Sequence, residues 1–312
     1  MVRTSTKLNK FHIFILVIAG VVLSVGSSST EAKPYVLTCE PEWRSLVQVI
    51  GGDRVKVDSA TTAQQDPHFI RAKPSLIAKA RRADLLVCSG AGLESGWLPL
   101  LLERASKQIQ PGQVGYLIAA EHVPLIEIPE LVDRSQGDVH PEGNPHVHLD
   151  PANVELIAKL VAERLSKIDS GSSEQYQKNL EIFKNRWKTS QVKWLQLAKP
   201  LNRKNVVAFH KSFSYLFRFL NIQVIGYIEK KPGIAPSASH LATVVDTVRS
   251  GAVLGVVRTP FDPSDSSEWL SQKTGKPSVV LPFTVGGAPG GSDLFLLYEH
   301  SIKALLDLLP QS

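Results

Sequence analysis

The chain has no dense run of Lys or Arg with aromatics between them, which argues against nucleic acid as a partner. Beyond residue 25 it has no apolar run long enough to span a bilayer, so the mature protein is expected to be soluble and exported. It has only two cysteines, neither of them near a leader cleavage point, so no bacterial lipid anchor is expected. Short-period repeats are absent, and so are low-complexity tracts outside the N-terminal segment. No His-Glu-x-x-His motif occurs, which counts against a metalloprotease.

What remains is ordinary globular composition, with 312 residues, 43% hydrophobic and 21% charged. That is enough chain for one large domain or two medium ones. Arg3, Lys7 and Lys10 precede a mostly apolar stretch from Phe11 to Val25, and Thr30 and Ala32 fit the small residues of a cleavage site. Residues 1–32 therefore read as a secretory signal peptide. The formal charge of +6 falls to about +4 once that segment is removed, which is only mildly basic.

From residue 33 to 172, short apolar runs alternate with helical stretches. Tyr35–Cys39, Val55–Ser59 and Leu85–Cys88 are strand candidates, with helices expected over Pro41–Ile50, Pro74–Arg82, Gly96–Gln108 and Asn153–Ser166. Such alternation suggests βαβ units around a parallel sheet, whose ligands bind at the carboxyl ends of the strands. Between Glu174 and Lys199, Tyr176, Leu180, Phe183, Trp187, Trp194 and Leu197 mark one face of a long helix, assigned to residues 173–200. It reads as a stiff connector, because a second alternation restarts over 201–312. There, strands are expected over Val206–Phe209, Val224–Tyr227, Val253–Val257 and Ser278–Leu281, and helices over Tyr215–Leu220, Ala238–Ser250 and Leu294–Leu309. The fold class is α/β, with two lobes, each a parallel sheet flanked by helices, and one long rigid helix linking them.

Cys39 and Cys88 each end an apolar strand-like run. A disulfide, buried free thiols and soft metal ligands are all compatible with that placement.

The histidines carry the chemistry. In Pro145-His146-Val147-His148-Leu149-Asp150-Pro151, prolines fix the backbone on both sides of two imidazoles. His68 follows Asp66-Pro67 after one strand candidate, and His210 ends another. Loops at the strand ends of two facing lobes converge, so His68, His146 and His210 can meet in one cleft. Three imidazoles favour Zn²⁺, Cu²⁺ or Ni²⁺ over Mn²⁺ or Mg²⁺. His140, in a charged loop with Asp138 and Glu142, and His148 are secondary candidates for touching the ion. His122, His240 and His300 read as surface residues, and His12 leaves with the signal.

These residues sit in a pattern that resembles the substrate-binding proteins of bacterial zinc and manganese ABC importers, over nearly all of the mature chain. The marks are Ile50-Gly51-Gly52-Asp53, Asp66-Pro67-His68-Phe69, Gly90-Ala91-Gly92-Leu93-Glu94, Pro145-His146-Val147-His148-Leu149-Asp150-Pro151 and Phe209-His210-Lys211-Ser212-Phe213. The resemblance implies metal held between the lobes by His68, His146 and His210, with His at the third position as in the zinc branch. It implies a transport protein rather than an enzyme, working in the periplasm with an ABC permease of the inner membrane. A periplasmic zinc metallochaperone as donor is left open, and the chain is expected to be a monomer.

The chain departs from the pattern in three places. His148 stands where an aromatic is common, the His-rich loop shrinks to Asp138–Glu142, and Val285 follows Phe283-Thr284 where many members place an Asp ligand. Asp293 is then the expected fourth ligand for Zn²⁺, with capping of the last helix, water, Glu142 and His148 as alternatives. A manganese or broad divalent binder and a secreted zinc hydrolase are the competing readings.

Overall fold

The structure, a computed structural model, describes residues 1–2, 32–130 and 140–310. Residues 3–31 of the expected signal peptide (1–32), and Asp138, lie outside the described residues. Met1–Ala32 and Lys33–Ser312 form separate units, and all that is described below belongs to the second.

Two four-stranded sheets organise the chain, and every strand pair in them is parallel. The first sheet holds β1 (Tyr35–Thr38), β2 (Lys56–Ser59), β3 (Leu85–Cys88) and β4 (Tyr116–Ile118), in the order β2-β1-β3-β4. The second holds β5 (Asn205–Ala208), β6 (Gln223–Tyr227), β7 (Val253–Arg258) and β8 (Ser278–Val280), in the order β6-β5-β7-β8. The helices are α1 (Pro41–Gly51), α2 (Pro74–Ala80), α3 (Leu98–Leu102), α4 (Pro151–Ile168), α5 (Ser173–Leu197), α6 (Ser214–Leu220), α7 (Ala238–Ser250), α8 (Ser264–Thr274) and α9 (Leu294–Leu306). The expected class, two parallel-sheet lobes joined by a long helix, is what the structure shows.

α5 is both the link and a core element. Tyr176, Leu180, Phe183, Trp187 and Trp194 are buried along its expected face, but Leu197 is 49% exposed where the helix ends. Trp194 stacks on Tyr298 of α9 with ring centroids 4.6 Å apart, and the Trp187 indole N–H donates to the Pro151 carbonyl at 2.9 Å. One apolar core therefore runs from Val36 and Leu85 of the first sheet, through Trp187 and Trp194, to Val206 and Tyr298. Smaller clusters cover the other face of each sheet.

Three elements depart from expectation. The stretch Gly96–Gln108 holds only the short α3 and a 3₁₀ turn over Lys107–Ile109. Strand β4 is three residues long, too short to show a period. Helix α8 buries only Ser267 and Leu270, so its apolar stripe is nearly blank. Among the described residues no helix is long and apolar enough to cross a membrane.

Cys39 and Cys88 end the neighbouring parallel strands β1 and β3, with Cα atoms 4.8 Å apart, and they are joined by a disulfide. Of the three alternatives left by the sequence, the bridge is the one the fold adopts.

Candidate metal centre

The carboxyl ends of both sheets face one cleft, the place where open parallel sheets bind ligands. After β2, Asp66-Pro67-His68-Phe69 folds into a 3₁₀ turn over Pro67–Phe69, because Asp66 caps it by accepting the His68 backbone N–H at 3.0 Å. After β5, His210 leads into a second 3₁₀ turn over Lys211–Phe213. His146 precedes a third, over Val147–Leu149, where the Asn144 side-chain oxygen accepts its backbone N–H at 3.0 Å. Asp66, His68, His146, His210, Glu229, Asp262 and Phe283 line a cavity of about 70 Å³. The three imidazoles picked out in the sequence thus line one cavity.

A fourth imidazole joins them. His140 Nε2 lies 3.1 Å from His68 Nε2, with ring centroids 5.1 Å apart. The His146 ring centroid is 6.0 Å from that of His68, 6.3 Å from that of His140 and 6.2 Å from that of His210. Two imidazoles bound to a tetrahedral ion at 2.0–2.1 Å put their donor nitrogens about 3.3 Å apart and their centroids about 5 Å apart. His68 and His140 already have that spacing, and the three pairs with His146 are about 1 Å wider.

Each ring except His146 is oriented from behind. Asp66 Oδ1 lies 2.6 Å from His68 Nδ1, and Glu229 Oε2 lies 2.7 Å from His210 Nδ1. A carboxylate accepts there, so Nδ1 carries the proton and Nε2 presents its lone pair to the cleft. The Ala91 carbonyl accepts from the His140 ring. Burial pushes the Asp66 carboxyl up, but its bonds from the His68 ring and backbone outweigh this and leave it below the usual range.

His146 is 1% exposed, and neither of its ring nitrogens has a hydrogen-bond partner. Burial first, then the neighbouring His68, His210, His140 and His148 rings, hold its pKa well below the ordinary value. The same causes, burial first and then His68 and His210, bring His140 down to about 4. Both rings are therefore neutral at pH 7 and free to donate a lone pair. An orphaned, buried, neutral imidazole facing others is what a divalent cation requires, because the ion replaces the missing partners.

The other candidates are placed elsewhere. Asp293, the expected fourth ligand, caps α9, where its Oδ1 accepts the Leu296 backbone N–H at 2.9 Å. It does not line the 70 Å³ cavity. Glu142 is exposed and does not line it either. His148 is fully buried behind the site, with Nε2 2.9 Å from the Phe283 carbonyl and Nδ1 3.1 Å from Glu42 Oε1. A carbonyl only accepts, so His148 Nε2 holds a proton and has no lone pair for an ion. Thr284 donates to the other Glu42 oxygen, which ties α1 to the segment after β8. Asp150, at the end of the His146 motif, caps α4 and pairs with Arg218 at 2.6 Å. The sequence reading missed Asp262 and Phe283. Phe283 sets its ring edge-on to both His146 and His148, at 5.0 and 5.2 Å.

Four imidazoles, with carboxylates behind His68 and His210 and Asp262 in the same cavity, held between two parallel-sheet lobes, define a divalent-metal-binding protein of the substrate-binding class. The family described as the periplasmic component A of the zinc-uptake complex (ZnuA) matches residues 36–308, and the chain belongs to it. It is 25% identical over 292 residues to the metal ABC transporter substrate-binding lipoprotein ScbA of Streptococcus cristatus, covering 89% of this chain and 91% of that one. It is 24% identical over 292 residues to the manganese ABC transporter substrate-binding lipoprotein PsaA of Streptococcus mitis, covering 91% of each. The zinc-binding lipoprotein AdcA of Streptococcus pneumoniae is 23% identical over 278 residues, 86% of this chain and 54% of that one. A crystal structure of ZnuA superposes with a TM-score of 0.72 at 24% identity, covering 87% of this chain and 98% of the other.

The protein is thus the metal-binding component of an ABC metal importer, not an enzyme, and it works outside the cytoplasmic membrane, in the periplasm or at the surface. The Streptococcus relatives are named lipoproteins, which runs against the expectation of a chain without a lipid anchor.

Proposed function

We propose that this chain captures Zn²⁺ in the periplasm through His68, His140, His146 and His210, and delivers it as a monomer to the permease of a zinc importer. The observation that carries this reading is the unpartnered, buried His146 ring, surrounded by three imidazoles. Four nitrogen donors suit Zn²⁺, whereas Mn²⁺ prefers oxygen donors. Of the three carboxylates in the cavity, Asp66 and Glu229 are engaged with His68 and His210, and Asp262 accepts the Thr259 backbone N–H. The relative named for manganese keeps that ion as the competing reading.

The test is a titration of the chelator-stripped protein with zinc and with manganese, beside three variants. The wild type is expected to show one tight zinc site and to prefer zinc to manganese. His146→Ala should abolish the site, and His140→Ala should weaken it at least tenfold, about 1.4 kcal/mol. Asp293→Ala should cost about 1 kcal/mol of fold stability as a lost helix cap and leave zinc affinity within about twofold. A wild type without a tight zinc site, or with manganese bound tighter, sinks the zinc assignment. Weakening by Asp293→Ala beyond that by His140→Ala would give the fourth position back to Asp293.

A further inference from the structure

At the carboxyl ends of β1 and β3, beside His148, lies a buried cluster that the metal centre does not use. Glu40, Glu42 and Glu94 are 1%, 0% and 2% exposed. None of the ion pairs among the described residues brings a Lys or Arg to any of them. Glu94 is fixed by the backbone N–H groups of Ser89, at 2.8 Å, and Gly90, at 3.0 Å. The Trp43 indole donates to Ser89 Oγ at 2.9 Å, and Ser89 Oγ donates to Glu40 Oε2 at 3.1 Å. The other Glu40 oxygen is buried without a partner, and its carboxyl touches that of Glu94. Buried carboxylates of this kind are stable only with protons or cations to neutralise them. Burial above all, followed by the charges of Glu94 and Glu42, pushes the Glu40 carboxyl well above its usual range.

The disulfide sits in the same place. One Sγ each from Cys39 and Cys88 and one carboxylate oxygen of Glu94 all lie within 4.8 Å of one another, and all three residues are buried. Donors around a tetrahedral zinc with Zn–S near 2.3 Å are spaced roughly 3.5–4 Å apart. Once the bridge is open, small side-chain rotations bring these three atoms to that spacing. The two strand ends supply the sulfurs, and the Ser89–Gly90 amides hold the oxygen.

We propose that opening the Cys39–Cys88 bridge creates a second, thiolate-rich site for a soft divalent cation, formed by Cys39, Cys88 and Glu94, with Glu40 hydrogen-bonded behind it. A dithiol reductant supplies two electrons and two protons, leaves as its own disulfide and produces two thiols. The cation then displaces both thiol protons to solvent and takes two thiolates and the Glu94 carboxylate. Bridge and ion exclude each other, because oxidation of the pair removes both sulfur donors. The compartment's thiol balance then decides whether the protein holds one metal or two. This assignment does not depend on which residues complete the histidine site.

Cobalt(II) is the probe, because thiolate ligation gives a near-ultraviolet charge-transfer band that imidazole ligation does not. Full-length protein, with its first site filled by one equivalent of zinc, is reduced with dithiothreitol, desalted under nitrogen and titrated with cobalt. Reduced wild type is expected to take up one further equivalent with the band, and the oxidised protein should take up none. Cys88→Ser should abolish the band, and Glu94→Gln should weaken cobalt binding at least tenfold while the zinc stoichiometry stays at one. Absence of the band in reduced protein that still holds its zinc overturns the proposal. So does a band that survives Cys88→Ser, or loss of the zinc site on reduction, since the donors would then not be pre-assembled.

Discussion

His140 shows how burial prepares a side chain for a cation. Its pKa near 4 means the folded chain resists a proton that the unfolded chain accepts below about 6.5. Between those values the unfolded state binds more protons, so this group's share of stability falls as pH falls. By pH 5 the loss is on the order of 2 kcal/mol relative to pH 7.5. Glu40 and Glu94 act with the opposite sign in the same window, because their raised pKa values make the fold hold protons that the unfolded chain releases. Comparing metal-free wild type with His140→Gln isolates the histidine. Urea unfolding at pH 7.5 and at pH 5 should show the variant gaining on the wild type by about that amount at the lower pH. An equal difference at both values would show that His140 titrates normally.

At this scale, legibility in the sequence followed local constraint. His68 and His146 follow prolines, and His210 ends a strand candidate, so each betrays its position. His140 lies in an aperiodic loop, and its orienting partner is a carbonyl far away in the chain, at Ala91. Asp293 shows the reverse problem. A carboxylate ahead of a helix is equally fit to cap it or to reach an ion, and sequence offers no means to choose.

Among the connecting elements, the turn after β3 does the most. Gly90, Ala91 and Gly92 have φ values of +81°, +49° and +83°, a left-handed run that aims the Ala91 carbonyl at His140 and the Gly90 amide at Glu94. A Cβ on Gly90 would lie 2.2 Å from Ile118 Cγ2, whereas one on Gly112, with φ +83°, would meet nothing within 4 Å. Gly112→Ala should therefore cost only its backbone strain, about 1 kcal/mol. Gly90→Ala should cost distinctly more, roughly 2–3 kcal/mol, and should also weaken zinc binding. Thermal unfolding and a zinc titration check both, and equal costs for the two variants would refute the steric account. The sheets were readable as apolar runs of four to six residues. β4 and α8 were not, because one is too short and the other too polar for any period to emerge.

For the molecule as a whole, the aromatic stripe of α5 was legible as a buried face and a link, but a stripe gives no hint of what covers it. Trp194 on Tyr298, and Glu42 tied to Thr284, join the two lobes through buried contacts. The cleft walls are thus held in a fixed frame, and the loops carry whatever adjustment the rings need.

One further consequence comes from the carboxylates behind His68 and His210. Asp262 lines the same cavity, so three carboxylates surround the place where the cargo sits. A divalent ion offsets their field without any large movement of the walls. The charge felt at the cleft mouth then differs between the loaded and the metal-free protein. Native electrophoresis at pH 8 should show the loaded protein shifted by two positive charges, a shift absent in His146→Ala. An unchanged mobility on loading would mean that protons leave as the ion arrives.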